Sequence, residues 1–287
     1  MLRLVVVNAD DFGLHEAVNE GVVRTHREGI VTSASLVACG RAFEDAVRRS
    51  RSCPGLGLGV HLTLVEERPV SPAGAIPSLV DPEGLMPPGY RAFARRWLAG
   101  TIRKRDVRRE LEAQVEKIVE TGIRPMHLDS HQHLHCLPGI WRITLDIATK
   151  YGVPYVRVPA FDSLWAEARG PVLPMVRAGV NLVGRLRRLA PKRSVKFADQ
   201  IRGAALSGRM TISRLLEIID SLRPGLTEVI VHPGLRNEEL RRRYPGWGGF
   251  DWESDLRAVT DREVLSRCQR GDFVLASFAG HRAESRR

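Results

Sequence analysis

"LRLVVVNADDFG", residues 2–13, decides how the rest of the chain is read. An apolar, strand-like run ends abruptly on two adjacent carboxylates, Asp10 and Asp11. Neighbouring acids repel one another, so both stay ionised most easily beside a positive group, and a metal ion is the obvious candidate.

Working outward, the same theme recurs. Strand-like runs stand at 32–37 (TSASLV), 56–64 (LGLGVHLTL), 126–130 (MHLDS), 155–159 (YVRVP), 228–232 (EVIVH) and 273–278 (FVLASF). Helical patterns separate them. In 106–122 the apolar residues Val107, Leu111, Val115 and Ile118 recur every three or four positions, with Asp106 placed to cap the start and Gly122 to end the helix. Pro138 suits a first helical position, and Thr260 with Glu263 has capping-box spacing. About seven βα units in one chain imply an α/β fold: a single-domain, distorted (β/α) barrel of mostly parallel strands spanning residues 1–287. Two stretches interrupt the alternation, 66–104 and 160–210. Insertions of that length usually shape a binding site.

Polar chemistry gathers at the strand ends. Asp10 and Asp11 follow the first run, His61 lies near the end of the third, HLDSHQHLH follows the fourth, Arg157 ends the fifth and His232 the sixth. In parallel α/β architectures those ends form one face, so the groups can converge there. His127, Asp129, His131, His133 and His135 also alternate, which on an extended chain sends all five to one side. One carboxylate with two imidazoles is a common set for a catalytic divalent ion with open positions. No HExxH, GxSxG or Walker pattern is present.

Composition narrows the class further. With 43% apolar and 27% charged residues the chain reads as globular, and its 44 Lys+Arg against 33 Asp+Glu give a net charge of +11. That charge suits nucleic acid, an anionic membrane or an acidic substrate alike. The absence of helix-turn-helix, RRM or zinc-finger patterns, with only 6% aromatic residues, argues against nucleic acid. The first residues lack the features of a signal peptide, and no apolar run approaches the 18 residues or so of a membrane span. Four scattered cysteines fit reduced thiols, so a cytoplasmic protein is expected.

The pieces "VVNADDFG" (6–13), "GIVTSASLV" (29–37), "GLGVHLTL" (57–64), "HLDSHQHLH" (127–135) and "VIVHPG" (229–234) together resemble the YdjC-like carbohydrate deacetylases, a family that includes chitooligosaccharide deacetylase. "ERPVSPAGAIPSLVDPEGLM" (67–86) and the basic middle insertion are most similar to its hopanoid-biosynthesis-associated branch, HpnK. The resemblance implies one divalent metal, Zn or Mg, on Asp11, His61 and His131, with Asp10 as general base. It implies a hydrolase that removes acetyl from an N-acetylglucosamine unit on a hopanoid lipid, with soluble chito-oligosaccharides such as diacetylchitobiose as the alternative substrate. A basic nucleic-acid-binding protein with a structural metal is the distant alternative.

Physical needs then assign further roles. His232 is the candidate acid for the leaving amine, Arg157 orients Asp10, and His127, Asp129, His133 and His135 support the site or touch substrate. Residues 172–193 carry Val172, Met175, Val176, Val180, Val183 and Leu186 near one helical face among Arg177, Arg185, Arg187, Arg188, Lys192 and Arg193. Such a segment can lie on an anionic bilayer, which suits peripheral contact with the inner face of the cytoplasmic membrane.

Overall fold

Strand β1, Arg3–Phe12, is the axis of one parallel sheet and pairs with three other strands. The computed structural model describes residues 2–158, 195–247 and 249–278. Within them the strands β2 (Ser33–Leu36), β3 (Gly57–Leu62), β4 (His127–Ser130), β5 (Tyr155–Val156), β6 (Gln200–Arg202), β7 (Gly225–Val231) and β8 (Val274–Leu275) follow in chain order. Their order across the sheet is β5-β4-β3-β2-β1-β7-β6, with β8 set against the start of β1. The chain just ahead of β6 reaches back to the opposite edge: Val156 N–H donates to Lys196 O at 3.1 Å, and Lys196 N–H to Pro154 O at 2.7 Å. The sheet thus curls into the distorted (β/α) barrel expected from the alternation.

All seven expected strands are present with shifted ends. The eighth, β6, lies inside the stretch 160–210 that reads as an insertion. Three residues, one of them Arg202, are too few for any period to flag. Residues 159–194, including the basic stretch 172–193, lie outside the described residues.

Side-chain alternation divides the barrel. Val5, Val7, Ala9, Ala34, Leu36, Val60, Leu62, Leu128, Val229 and Val231 belong to the large outer core beneath the helices. Inside, the start of the barrel is apolar, with Leu4, Val6, Tyr155, Leu226, Ala276 and Phe278 packed together. Toward the strand ends the same inward rows become Asn8 and Asp10, Ser33 and Ser35, His61, His127 and Asp129, all buried. The apolar end supports the fold, and the polar end carries the chemistry.

Among the described residues the helices are α1 (Glu16–Glu28), α2 (Phe43–Ser50), α3 (Tyr90–Leu98), α4 (Lys104–Glu120) and α5 (Ile140–Lys150), with four more after β6. In α4 the residues Val107, Leu111, Val115 and Ile118 are buried as the spacing predicts, and Gly122 follows its end at φ +86°. Asp106, however, does not cap its own helix. Its Oδ2 accepts from Ser78 N–H at 3.0 Å and from Ser78 Oγ–H at 2.7 Å. One and two turns on, Glu110 accepts from the backbone of Val70 and Ser71, and Gln114 accepts from Thr63 N–H. A polar stripe at every fourth residue of α4 therefore ties the stretch 66–104 to the helix through Asp106 and Glu110, and the end of β3 through Gln114.

Two other expected helix starts shift. Asp261, not Thr260, caps the last helix by accepting from Glu263 N–H at 2.8 Å, and α5 begins at Ile140 after Gly139, two residues beyond Pro138. In both cases the neighbouring backbone turn decides the start.

Candidate active site

Strict alternation in β1 would point Asp10 inward and Asp11 out. The strand avoids this with a bulge: its register against β2 shifts between Ala9 and Phe12, and Asp11 adopts φ +67°. A left-handed turn at a residue with a side chain is sterically costly, and aspartate is among the few that tolerate it. Both carboxylates therefore face the barrel mouth, 2% and 1% exposed.

Asp11 meets two imidazoles. Its Oδ1 lies 3.4 Å from His61 Nε2 and 3.1 Å from His131 Nδ1, and the ligand atoms of Asp11, His61 and His131 all lie within 4.8 Å of one another. His61 is steered by Asp129, whose Oδ1 accepts from Nδ1–H at 2.8 Å, leaving Nε2 toward Asp11. His131 Nε2 lies 3.1 Å from Glu66 Oε2. Each imidazole thus has one nitrogen at the cluster and the other against a carboxylate, which is how metal-binding histidines are oriented. The donor set fits a divalent ion: one carboxylate oxygen and two imidazole nitrogens suit zinc, and magnesium is accommodated where water completes the shell.

Asp10 is held differently. Arg157, from just beyond β5, donates Nη1–H to Asp10 Oδ2 at 2.6 Å and Nη2–H to Oδ1 at 2.7 Å. Asn8 Nδ2–H adds a bond to Oδ1 at 2.8 Å. The same guanidinium reaches Asp129 Oδ2 at 2.7 Å and Glu228 Oε1 at 2.7 Å. Asp129 Oδ2 also accepts from Ser35 Oγ–H at 2.6 Å. One buried cation therefore serves three buried carboxylates.

Protonation follows from this crowding. Burial alone would raise Asp10, but Arg157 holds it below its ordinary value; burial would raise Asp11, yet His131 and His61 hold it well below. Burial disfavours charged imidazoles, but the surrounding carboxylates push His61 up to about 10 and His131 to about 9. The cluster attracts positive charge, as a cation site must.

The other histidines of the 127–135 stretch stay neutral. Burial lowers His127 to about 4, His133 to about 3 and His135 to about 4. His127 Nε2 contacts Ser35 Oγ at 2.9 Å, and its ring lies so close to Gly59 that a Cβ there would fall 2.3 Å from Cε1. His135 Nε2–H donates to Arg157 O at 2.7 Å and so anchors the guanidinium's backbone. The expected five-residue alternation fails after Ser130. His131–Cys136 form a 3-10 turn with Gln132 and His133 in left-handed backbone, so only His127 and Asp129 share the strand's inward row. His131 reaches the cluster by the turn instead. His133 is half-buried, and its Nδ1 has no partner among the described residues.

His232, just past β7, stands on the other side of Asp10, with Nε2 3.9 Å from Asp10 Oδ2 and Nδ1 3.9 Å from Asp255 Oδ2. Burial lowers its pKa, with Asp10 and Asp11 pulling weakly the other way, so it rests neutral. All the predicted residues thus converge, in three arrangements: Asp11 with His61 and His131, Asp10 with Arg157 and His232, and a supporting layer.

Sequence reasoning passes over several members of this site. Ser35 and Glu228 lie on inward rows, and Glu228 stands on β7 four residues before His232, a spacing that in extended chain places both on one face. Asn8 likewise alternates with Asp10. Glu66 gives no such signal: it adopts φ +66° at the start of the insertion and accepts from Trp247 Nε1–H at 3.0 Å and Gln132 Nε2–H at 3.0 Å. Trp247 in turn packs against His131, ring centroids 5.2 Å apart, within a cluster of Tyr244, Phe250 and Trp252.

Comparison with known proteins is consistent with this picture. The profile of the family described as YdjC-like protein matches residues 4–270. A carbohydrate deacetylase of Brevibacillus brevis is 43% identical over 155 residues, 54% of this chain and 59% of that protein, so this match spans less than two thirds of its length. A carbohydrate deacetylase of Mus musculus is 34% identical over 248 residues, 80% of this chain and 77% of that one. A crystal structure from Enterococcus faecalis V583 superposes with a TM-score of 0.75 over 97% of this chain and 98% of that one; at 23% identity it shows the shared fold.

Proposed function

We propose, for a chain that belongs to the family of YdjC-like proteins, that it is a metal-dependent carbohydrate N-deacetylase hydrolysing the acetamide of an N-acetylglucosamine unit. The observation that carries this reading is the juxtaposition of two carboxylates with different duties. Asp11 meets His61 and His131 in a cation-attracting cluster, while its neighbour Asp10 is gripped by Arg157 beside it. Similarity to proteins named carbohydrate deacetylases supports the substrate class.

In this reading Asp11, His61 and His131 hold a divalent ion, Zn or Mg, whose chemistry when bound is to polarise the amide carbonyl and acidify a water. Asp10 accepts the proton from the attacking water. Arg157 keeps that carboxylate ionised and aimed, so it need not reorganise as charge develops. Because His232 rests neutral, it must be loaded before it can act as an acid. The 3.9 Å between its Nε2 and Asp10 Oδ2 lets the proton pass between them through a small shift or one water. His232 then protonates the departing amine as the carbon–nitrogen bond breaks, leaving acetate and a free amino sugar. Asp129 and Glu66 orient the two imidazoles, and His127 and His135 hold Asp129 and Arg157 in place. The aromatic wall around Trp247 offers the sugar an apolar face.

The finer reading is that the sugar is carried by a hopanoid. It rests on the resemblance of residues 67–86 to the hopanoid-associated branch and on the basic segment 172–193, for which we infer peripheral contact with an anionic membrane. Among the described residues no helix is long and apolar enough to cross one. The test is acetate release by metal-loaded protein from N-acetylglucosaminyl hopanoid and from diacetylchitobiose in parallel. Release from the lipid alone supports the hopanoid reading, release from the soluble sugar alone replaces it, and release from neither overturns the deacetylase.

A further inference from the structure

We propose that the corner where α3 meets α4 is a docking face for an anionic lipid bilayer, separate from the segment 172–193. Residues 90–105, YRAFARRWLAGTIRKR, contain six Arg and Lys and no Asp or Glu. Of these cations, Arg91, Arg95, Arg103, Lys104 and Arg105 are exposed. Arg105 reaches Asp106 at 3.3 Å, whereas Arg91, Arg95, Arg103 and Lys104 have no carboxylate partner among the described residues. Some surface cations elsewhere find acids, as Arg24 does with Glu28, Arg108 with Asp146 and Arg267 with Asp272; what sets this corner apart is four such cations within fourteen residues beside exposed apolar side chains.

The same corner exposes apolar surface. Leu98, at 77%, is the most exposed large apolar side chain among the described residues, and Tyr90 on the same helix is 49% exposed. Beside Leu98 lies an open cavity of about 770 Å³, with Trp97, Ile102 and Pro138 as apolar lining and Arg103, Lys104 and Arg105 around it. An apolar floor with a cationic rim matches a phospholipid, whose phosphate is anionic and whose glycerol and upper chain are not. Interfacial segments combine cations for the headgroups with side chains that enter the acyl boundary. A nucleic acid would use the cations and leave Leu98 in water.

The position of this face gives docking a purpose. Helix α4 leads into β4, so its N-terminus lies on the side of the barrel where the strands end, the side that holds the site. At its other end α3 touches the rim: Tyr90 N–H donates to Gln132 Oε1 at 2.7 Å, and Gln132 Nε2–H donates to Glu66. Leu98 ends this nine-residue helix, eight rises of 1.5 Å or roughly 12 Å from Tyr90 at the rim. A bilayer contacted here would present headgroup sugars toward the site mouth. The inference goes beyond the proposed reaction and does not require it.

The experiment is co-sedimentation of the full chain with vesicles of phosphatidylcholine alone and of phosphatidylcholine with phosphatidylglycerol. The wild type pellets with the anionic vesicles only. Arg103→Ser with Lys104→Ser weakens binding about 25-fold, near fivefold for each cation lost at the surface, and Leu98→Ser weakens it several-fold. Arg262→Ser with Arg270→Ser, which removes the same charge from another exposed part of the chain, leaves binding unchanged. Unchanged turnover of a soluble acetylated sugar shows that the docking variants remain folded; if the protein hydrolyses no such sugar, unchanged thermal melting serves instead and the docking result stands alone. No pelleting of the wild type, equal loss in the Arg262/Arg270 control, full binding by the Arg103/Lys104 variant, or retention of duplex DNA in place of vesicles would each overturn the proposal.

Discussion

Arg157 closes on both oxygens of Asp10, with Nη1 2.6 Å from Oδ2 and Nη2 2.7 Å from Oδ1, across 147 residues of chain. A planar fork that meets a carboxylate at two points fixes orientation as well as charge. Lysine cannot reproduce it. Arg157→Lys is expected to lower turnover at least about a hundredfold, the scale of a displaced general base. Arg157→Met, which also strips Asp129 and Glu228 of their cation, should cost about 3–5 kcal/mol in urea unfolding. Near-normal turnover in the lysine variant would show that the fork is dispensable.

Asp10 and Asp11 are expected to separate cleanly under mutation. Asp11→Asn should abolish tight metal binding in calorimetry. Asp10→Asn should keep the metal and lose about 10²- to 10⁴-fold in acetate release. Equal metal loss in both variants would contradict the division of duties.

Glu66 sets His131 through a 3.1 Å contact, so Glu66→Gln should weaken metal affinity about 10- to 100-fold while leaving the ligands themselves intact. Asp129→Asn should do the same through His61. Calorimetric metal titration measures both directly. An unchanged affinity in both would mean that the ligand geometry holds without these carboxylates.

The docking of the 66–104 insertion should depend on pH through Asp106. Burial acts to raise its carboxyl, but the hydrogen bonds from Ser78 prevail and hold it below the ordinary aspartate value of 3.8. A folded-state value below the unfolded one contributes stability above the unfolded value, and that contribution is lost as pH falls through the folded one. Asp106→Asn should therefore lower the urea midpoint near neutral pH, with wild type and variant converging as pH falls through the lowered folded-state value. A constant difference at all pH values would assign the effect to shape alone.

Gly59→Ala forces a methyl group to within 2.3 Å of the His127 ring. Overpacking of this kind costs about 1–3 kcal/mol, measurable by thermal melting. His127 must move, and Ser35 and Asp129 with it, so metal affinity should fall in parallel.

Much of this was legible in the chain because strands leave a period that reports their inward row. Asp10, His61, Asp129 and Arg157 were found at strand ends, and the structure assembles them around one mouth. Two kinds of feature resisted reading. The bulge that turns Asp11 inward, and the left-handed turn at Gln132 and His133 that ends the histidine alternation, depend on backbone angles that tertiary contacts impose. Glu66 and Trp247 come from loops far apart in sequence, 181 residues, and meet only in the fold. Periodicity says nothing about such pairs.

The central claim concerns where the cation sits, because a second cluster, Asp10, His61 and Asp129, also brings its ligand atoms together. Asp10 and Asp129 already give their oxygens to Arg157, Asn8 and Ser35, so we assign the ion to the other side. Anomalous diffraction from zinc-loaded crystals decides between them. The account predicts one peak bonded to Asp11, His61 and His131, with Asp10 outside its coordination shell; a peak bonded to Asp10 and Asp129 would contradict it.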